Sequence, residues 1–294
     1  MFERPSRPRF DVPAGSCDCH VHLFGPHARY PLARERLYTP DPALTSDLMA
    51  MLDGAGVARA VLVQPSVYGT DNSCMLDAMA AHPDRFRGVV VIDSATPEQK
   101  LERMHALGAR GTRLNLATAA GKSGADAARV VEQLAAKIAP LAWHLQIFAT
   151  LDHVAAIAPI VPRLPVEVVF DHMALAPAAL GPAQPGLSAL LRLIETGRAW
   201  VKLSGTYRVS GDDYGNAHVT GLARALIAAN KDRVVWASDW PHTDPHARRV
   251  EAAPRMNYRR IDYGRLLSAL ADWAQGDDIA RILVHNPARL YDFR

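Results

Sequence analysis

The stretch Ser16-Cys17-Asp18-Cys19-His20-Val21-His22-Leu23 has the length of a buried strand, yet it carries three ionisable side chains in alternation. Successive side chains of a strand point to opposite faces, so Asp18, His20 and His22 are predicted to share one face. The polar face is predicted to look into the interior of the fold. The other face is predicted to pack against helices, and it consists of Cys17, Cys19 and Val21.

Seven more β-rich runs follow, and longer helical patterns separate them. The eight predicted strands lie near residues 16–23, 60–66, 86–93, 111–116, 144–149, 166–171, 200–204 and 234–238. The predicted helices lie near residues 45–56, 72–81, 97–107, 125–138, 151–158, 186–196, 216–229 and 262–273. Eight such units in 294 residues are typical of an α/β protein with a (β/α)8 TIM barrel. Because no linker divides the chain, we predict one domain over residues 1–294.

The composition excludes several classes of protein. Hydrophobic residues make up 49% and charged residues 21% of the chain, as in globular proteins and unlike disordered or fibrous ones. No apolar run approaches the ~18 residues that a membrane helix needs, so no membrane partner is expected. The net charge is +3, and no window clusters Lys and Arg as nucleic acid binding requires. A small anionic substrate and a homo-oligomer stay open as partners.

The start of the chain and its cysteines bear on the compartment. Residues 1–5 carry charges and prolines where an export signal would place its apolar stretch. The chain has 3 cysteines, and Cys17 and Cys19 form neither an even disulfide framework nor a Cys-x-x-Cys zinc arm. We therefore expect a cytoplasmic protein with reduced thiols.

Polar residues recur on one face of the other predicted strands. Each would cost ~1–3 kcal/mol inside a barrel without a hydrogen-bond partner, so a set this large indicates a site. Its members are Gln64, Ser66, Arg113, Asn115, His144, Gln146, His172, Lys202, Ser204, Ser238 and Asp239. Catalytic groups of such barrels lie at the C-terminal ends of the strands. His22, Arg113, His172 and Asp239 fall at these ends.

The His20-x-His22 pair admits two interpretations. Two imidazoles ~6.5–7 Å apart along one strand face can lean toward one ion or one substrate atom, or they can be core histidines bonded to carbonyl groups. Adding His172 and Asp239 at strand ends favours a site. Such a set can hold Zn²⁺, or it can act without metal as acid, base and hydrogen-bond donors.

The cationic side chains also admit two interpretations. Arg113 and Arg208 are candidate anion binders, because a guanidinium matches a carboxylate with two hydrogen bonds. Their alternative is a salt bridge to a neighbouring acidic residue. For Lys202 we favour a structural pairing with Asp93 or Asp18. On the loop after the eighth strand, a substrate contact and a solvated surface are both open for four residues: His242, His246, Arg248 and Arg249.

Four segments together resemble one known family. They are residues 18–26 (DCHVHLFGP), 170–173 (FDHM), 202–208 (KLSGTYR) and 238–243 (SDWPHT). In this order they are similar to the amidohydrolase superfamily, in the branch of the 2-pyrone-4,6-dicarboxylate lactonases and related TIM-barrel hydrolases. The resemblance extends over the whole chain.

The resemblance implies roles for individual residues. Asp239 would be the general base that activates water, and three catalytic histidines would polarise the carbonyl group or hold a metal: His20, His22 and His172. The expected substrate-binding residues are Arg113, Arg208, Tyr38, Gln146, Ser66 and His242. No cofactor would be required, or one divalent ion, zinc or manganese, would be held by His20, His22 and Asp239.

The chain departs from the expected pattern at its arginines and on strand five. Leu175 stands where a further arginine is expected, and Lys122 is a candidate replacement for another. Strand five offers Gln146 and Phe148 where strongly metal-dependent members of the superfamily have a histidine, which argues against a two-metal site. A missing arginine leaves room for a monocarboxylate or sugar lactone beside a dicarboxylate.

We therefore predict a hydrolase that opens the lactone ring of a small carboxylated substrate, in the catabolism of aromatic compounds. Two alternatives within the superfamily are a metal-dependent sugar lactonase and a metal-dependent decarboxylase. An alternative of another class is a non-catalytic barrel that binds a carboxylate. The presence of a base argues against a pure binder.

Overall fold

Eight parallel strands form one sheet in the computed structural model, which describes residues 2–117, 124–244 and 254–294. They are β1 (Cys17–Val21), β2 (Arg59–Val63), β3 (Phe86–Val90), β4 (Ala109–Asn115), β5 (His144–Phe148), β6 (Val168–Phe170), β7 (Ala199–Leu203) and β8 (Val234–Trp236). Each pairs in parallel with the next in sequence. Val21 bridges Trp240, and the amide of His22 donates to the carbonyl oxygen of Trp240 over 2.8 Å. These contacts close the sheet, and the predicted (β/α)8 barrel is confirmed.

Helices connect the strands at the predicted places. They are α1 (Thr45–Ala55), α2 (Ser73–Ala81), α3 (Glu98–Ala106), α4 (Gly124–Ile138), α5 (Leu151–Ile157), α6 (Leu187–Glu195), α7 (Thr206–Ser210), α8 (Ala217–Ala229), α9 (Tyr263–Ser268), α10 (Leu270–Trp273), α11 (Asp277–Ala280) and α12 (Asn286–Tyr291). The short helices α7, α11 and α12 were not predicted. None of the described helices is long and apolar enough to span a bilayer.

A β-bulge in β1 changes which side chains of that strand face inward. Cys17 and Asp18 pair with consecutive residues of β2, but the next pair joins Val21 to Leu62, so β1 has one extra residue. The prediction that Asp18 shares the face of His20 is therefore wrong. Asp18 points outward, where its Oδ2 accepts a hydrogen bond from the hydroxyl of Tyr263 on α9 over 2.9 Å.

The predicted positions of Cys17 and Cys19 are wrong for the same reason. Both lie in the apolar lower half of the barrel, which also contains Val61, Val63, Val89, Val169, Trp200, Val235 and Ala237. The end of the chain closes this half from below through Leu290, Tyr291 and Phe293. An apolar floor confines the buried polar groups of the barrel mainly to its C-terminal end.

Close packing inside the barrel explains a glycine in β4. A Cβ atom at Gly111 would lie 2.5 Å from Nε2 of His144, which faces it from β5. Above the barrel, a two-stranded parallel sheet pairs Thr39–Pro40 with Arg255–Met256 and adjoins Tyr38. This sheet sets Tyr38 over the C-terminal ends of the strands.

Candidate active site

A small cavity opens at the C-terminal ends of the barrel strands. It is lined by His22, Tyr38, Pro65, Ser66, Arg113, Asn115, Phe148, His172, Arg208, Asp239 and Thr243. Seven of the ten residues that the sequence proposes for a site therefore meet at one opening. His20 lies immediately below, with its Nε2 3.3 Å from Nε2 of His22.

Asp239 uses its two carboxylate oxygens differently. Oδ2 accepts hydrogen bonds from the hydroxyl of Tyr207 and from Nε of Arg208, both over 2.6 Å. Oδ1 is buried and has no hydrogen-bond partner among the described residues. A buried carboxylate oxygen without a partner is costly, so this atom is a candidate for contact with water, substrate or a cation.

Three imidazoles surround the unpaired oxygen. The Nε2 atoms of His22, His172 and His20 lie 3.7, 3.8 and 3.9 Å from Oδ1 of Asp239. All four side chains are almost inaccessible to solvent. The strand ends thus bring the four predicted catalytic residues into one cluster.

Hydrogen bonds on the far side of each ring fix its orientation. His22 donates from Nδ1 to the carbonyl oxygen of Val63 over 2.7 Å, and Nδ1 of His20 lies 3.1 Å from Oδ1 of Asp171. Because a carboxylate only accepts, the proton of His20 belongs on Nδ1, and its Nε2 carries a lone pair. Nδ1 of His172 lies 2.9 Å from the hydroxyl of Ser204, which can donate or accept.

Burial makes the histidines neutral. Loss of water around the ring lowers the pKa of His22 to about 3 and that of His172 to about 4, although Asp239 opposes the change. Burial also holds the pKa of His20 well below its usual value. Neutral imidazoles are the form that ligates metal ions or shares hydrogen bonds.

Asp239 is ionised. Burial alone would raise its pKa, but the Arg208 guanidinium and the surrounding imidazoles hold the pKa well below its usual value. Since the imidazoles are neutral, we assign the main part of this effect to the permanent charge of Arg208. The cluster therefore presents one negative oxygen among three neutral rings.

The cluster approaches the dimensions of a site for one divalent metal ion. Ligand atoms 2.0–2.2 Å from a tetrahedral zinc ion lie about 3.3–3.6 Å from one another. The Nε2 atoms and Oδ1 of Asp239 are separated by 3.3–3.9 Å in the pairs given above. His20, His172 and Asp239 offer one ligand atom each, all within 4.8 Å of one another. His172, which the sequence also offered as a ligand, therefore belongs to this group with His20 and Asp239.

The backbone after β6 is strained at the site. Four consecutive residues, His172 to Leu175, have φ between 49° and 53°, and Asp239 has φ 64°. Left-handed conformations cost ~1–2 kcal/mol for each residue that has a side chain. Such strain persists where the surrounding structure enforces it, as it does at many functional sites.

The two predicted arginines line the cavity and are also ion-paired. Nε of Arg113 lies 3.0 Å from Oδ2 of Asp171, and Nε of Arg208 lies 2.6 Å from Oδ2 of Asp239. Nη2 of Arg208 donates to the hydroxyl and carbonyl oxygens of Thr243. The salt bridge raised as an alternative is therefore present for both residues, and both also lie at the cavity wall, where an anion binder would have to be.

Other predicted residues lie outside the cavity wall. Gln146 lies within the barrel and accepts a hydrogen bond from Lys202 over 2.6 Å. His242 is buried, with its ring edge-on to Tyr207 at 6.5 Å, so it is not part of a solvated surface. Lys122, His246, Arg248 and Arg249 lie outside the described residues.

Lys202 is paired, as expected, but with other partners. Its Nζ lies 3.5 Å from Oδ1 of Asp171 and donates to the carbonyl oxygen of Cys19 over 2.9 Å. The predicted partners were wrong, because Asp93 bonds to Thr96 and the bulge turns Asp18 outward.

The sequence did not single out Asp171 or Tyr207, which hold His20 and Asp239 in place. Alternation along β6 was a signal for Asp171, because Val169 faces inward and Asp171 is two residues further. No pattern signalled Tyr207, since its helix has only 5 residues.

Known proteins resemble this chain over nearly its full length. A 2-pyrone-4,6-dicarboxylate hydrolase of Comamonas testosteroni is 32% identical, covering 99% of this chain and 94% of its own. A 4-sulfomuconolactone hydrolase of Hydrogenophaga intermedia is 31% identical, covering 96% of this chain and 90% of its own. Both names are those of hydrolases that act on lactones, in agreement with the predicted class of enzyme.

A solved structure of a similarly named hydrolase also superposes on this chain. A probable 2-pyrone-4,6-dicarboxylic acid hydrolase of Acinetobacter baumannii, with citric acid bound, superposes with a TM-score of 0.79 and 25% identity, covering 95% of this chain and all of that one. The family model described as Amidohydrolase matches residues 17–293. With its fold, its cluster of three histidines and one aspartate, and these matches, the chain belongs to the amidohydrolase family.

Proposed function

We propose that this protein is a hydrolase that opens the lactone ring of a small carboxylated substrate. The observation that carries the proposal is the unpaired, buried Oδ1 of Asp239, which faces a cavity whose wall contains two guanidinium groups. A base and an anion site in one cavity are what hydrolysis of an acidic lactone needs.

Asp239 would act as base and then as acid. Its Oδ1 takes a proton from water while the water oxygen forms a bond to the lactone carbonyl carbon. When the tetrahedral intermediate collapses, the ring C–O bond breaks and the same carboxyl group returns the proton to the leaving oxygen. The product is an open chain with one additional carboxylate.

His172 is the best candidate to stabilise the carbonyl oxygen. If the hydroxyl of Ser204 donates to its Nδ1, the ring proton lies on Nε2, which faces the cavity. An N–H group fixed in a site without water stabilises developing negative charge without reorganisation. The arrangement needs no imidazolium ion, in keeping with a pKa of about 4.

The substrate carboxylate would be held by Arg113 and Arg208, with Tyr38 and Ser66 on the same wall. The two relatives named above act on a pyrone dicarboxylate and on a sulfonated lactone according to their names, and both substrates are anions. The citric acid in the Acinetobacter structure is also a carboxylate. These names support an acidic lactone and a role in the catabolism of aromatic compounds.

A divalent ion such as zinc or manganese, if bound, would be held by Nε2 of His20 and His172, with His22 adjacent, and by Oδ1 of Asp239. It would supply a Lewis acid for the carbonyl group and lower the pKa of water. The hydroxyl of Ser204 can also accept from Nδ1 of His172, which frees Nε2 as a ligand.

The free thiols support a cytoplasmic location. Cys17, Cys19 and Cys74 are all free, and Sγ of Cys17 lies 3.9 Å from Sγ of Cys19 without a disulfide. A reducing compartment such as the cytoplasm suits this arrangement.

The test is an assay of the purified protein with 2-pyrone-4,6-dicarboxylate, 4-sulfomuconolactone, a sugar lactone and an uncharged lactone, before and after chelation. We expect turnover of an acidic lactone and a loss of ~10²–10⁴-fold in kcat in Asp239→Asn, with binding retained. Turnover by Asp239→Asn at the original rate would exclude the assigned base. Carbon dioxide release would favour the decarboxylase, and tight binding without turnover the non-catalytic barrel.

A further inference from the structure

Asp171 joins the histidine cluster to an arginine of the cavity wall, although it does not line the cavity itself. It is fully buried at the end of β6. Its Oδ1 lies 3.1 Å from Nδ1 of His20, and its Oδ2 lies 3.0 Å from Nε of Arg113. One carboxylate therefore contacts both a histidine of the cluster and an arginine of the cavity wall.

The contact with His20 decides where that ring carries its proton. A carboxylate accepts only, so it favours the proton on Nδ1 and the lone pair on Nε2. Nζ of Lys202 also lies 3.2 Å from Nδ1 of His20, but it donates over shorter distances to Gln146 and to the carbonyl oxygen of Cys19, so we assign the tautomer to Asp171. That lone pair faces Nε2 of His22 at 3.3 Å and Oδ1 of Asp239 at 3.9 Å. Without Asp171 the ring would be free to place its proton on Nε2, where it would bond to one of these acceptors.

The contact with Arg113 fixes the plane of the guanidinium. The group is rigid and planar, so an anchored Nε determines where the two terminal nitrogens point. The ring of Phe148 restricts the same group, since Cζ of Arg113 lies 5.2 Å from its centroid. Arg113 is thereby presented to the cavity in one orientation.

Lys202 is the second cationic group beside Asp171, after Arg113. Its Nζ lies 3.5 Å from Oδ1 of Asp171 and is fixed by Gln146 and the carbonyl oxygen of Cys19. Arg113 and Lys202 thus place two cationic groups against the buried carboxylate of Asp171. A charged acceptor makes the stronger hydrogen bond to each partner.

We propose that Asp171 is a positioning residue that couples the anion-binding Arg113 to the proton position of His20, with Lys202 as its counter-ion. The consequence for catalysis rests on the function proposed above, whereas the coupling itself does not. Asp171→Asn is the informative variant, because an amide has one accepting and one donating end. It can satisfy His20 or Arg113 in the native arrangement, but not both.

The first experiment is nitrogen-15 NMR of the metal-free protein, which distinguishes the two protonation sites of His20 and detects the Nε–H of Arg113. In the native protein we expect the His20 proton on Nδ1. In Asp171→Asn we expect either transfer of that proton to Nε2 or a displaced Arg113 signal. If both signals keep their native positions, the proposal is wrong. This result does not depend on any substrate, so it stands even if the proposed lactonase activity is absent.

The second experiment uses kinetics on the acidic lactone. Asp171→Asn should lower kcat by ~10–100-fold, because loss of the group that hydrogen-bonds to the far nitrogen of a functional histidine has an effect of this size. The variant should also raise KM. In an Arg113→Met background the additional effect of Asp171→Asn on KM should vanish while its effect on kcat persists. Full additivity in both parameters would show that the two residues act independently and would overturn the coupling.

Two further variants separate positioning from loss of the fold. Asp171→Asn combined with Lys202→Met removes one buried charge of each sign, so it should recover stability but not the native His20 signal. Recovery of that signal together with stability would contradict the proposal.

Asp262→Asn at the start of α9 is the matched control, because it changes a partly buried aspartate remote from the cavity. It should leave the signals of His20 and Arg113 unchanged.

Discussion

Tyr207 donates its phenolic hydrogen to Oδ2 of Asp239 over 2.6 Å and so leaves Oδ1 as the oxygen that faces the histidines. Arg208, the next residue along α7, donates to the same oxygen. The short helix after β7 therefore selects which end of the carboxylate is available to the cavity. Its N-terminal flank is Gly205 with φ 64°, and a Cβ there would approach His172 to 3.1 Å.

Replacing Tyr207 by phenylalanine tests this selection. The variant removes one hydrogen bond to a charged acceptor, which is worth ~1.5–3 kcal/mol and corresponds to ~10–100-fold. We expect kcat to fall within that range while KM stays within about threefold, because Tyr207 does not line the cavity. Steady-state kinetics on the acidic lactone measure both. An increase in KM with unchanged kcat would assign Tyr207 to substrate binding instead.

Replacing Arg113 by methionine tests the anion site. We expect KM for a carboxylated lactone to rise ~10–100-fold, more than kcat falls, because a charge-assisted hydrogen bond to the substrate is lost in the ground state as well. An uncharged lactone should show a much smaller change. Arg265→Met serves as control, since Arg265 stacks on Tyr214 and lies outside the cavity. Equal effects on both lactones would exclude carboxylate recognition by Arg113.

Adding Zn²⁺ or Mn²⁺ to metal-free protein tests the cluster as a ligand set. A ligand that binds only the folded state stabilises it by about 2.7 kcal/mol at 100 times its Kd, so Tm should rise by several degrees. His20→Ala and Asp239→Asn should abolish the rise, whereas His218→Ala, at an exposed position, should keep it. Calorimetry with each metal alone measures this. An unchanged Tm in the native protein would favour histidines that act without metal.

Much of the architecture could be predicted because each barrel unit carries its own local signals. Leu187, Leu190, Leu193 and Ile194 of α6 fall on one helical face, and the strands are short apolar runs between such helices. Parallel strands gather their C-terminal ends at one opening, so four residues remote in sequence could be placed together. His22, Arg113, His172 and Asp239 do meet there.

The features that could not be predicted depend on a β-bulge and on contacts between distant strands, which no local sequence pattern encodes. The bulge in β1 inserts one residue, which keeps His20 inward but reverses Asp18, Cys17 and Cys19 relative to simple alternation. The partners of Asp171 come from three other strands, and only the closed barrel brings them within hydrogen-bond distance. Pairings between distant strands are the part of a site that a single sequence leaves open.

The outward position of Asp18 leads to a last prediction, on pH and stability. Burial raises the pKa of Asp18 to about 6, against ~3.9 in an unfolded chain, although Ser238, His20 and Tyr263 donate hydrogen bonds to it. The folded state therefore binds the proton more tightly, and stability falls as pH rises from about 4 through 6. In Asp18→Asn this dependence is absent, while Oδ1 still accepts from the two backbone amides. We expect the unfolding free energy of the variant, relative to the native protein, to increase by about 2 kcal/mol between pH 4.5 and pH 8. Urea unfolding at the two pH values measures it, and a constant difference would mean that Asp18 is already ionised at pH 4.5 in the folded protein.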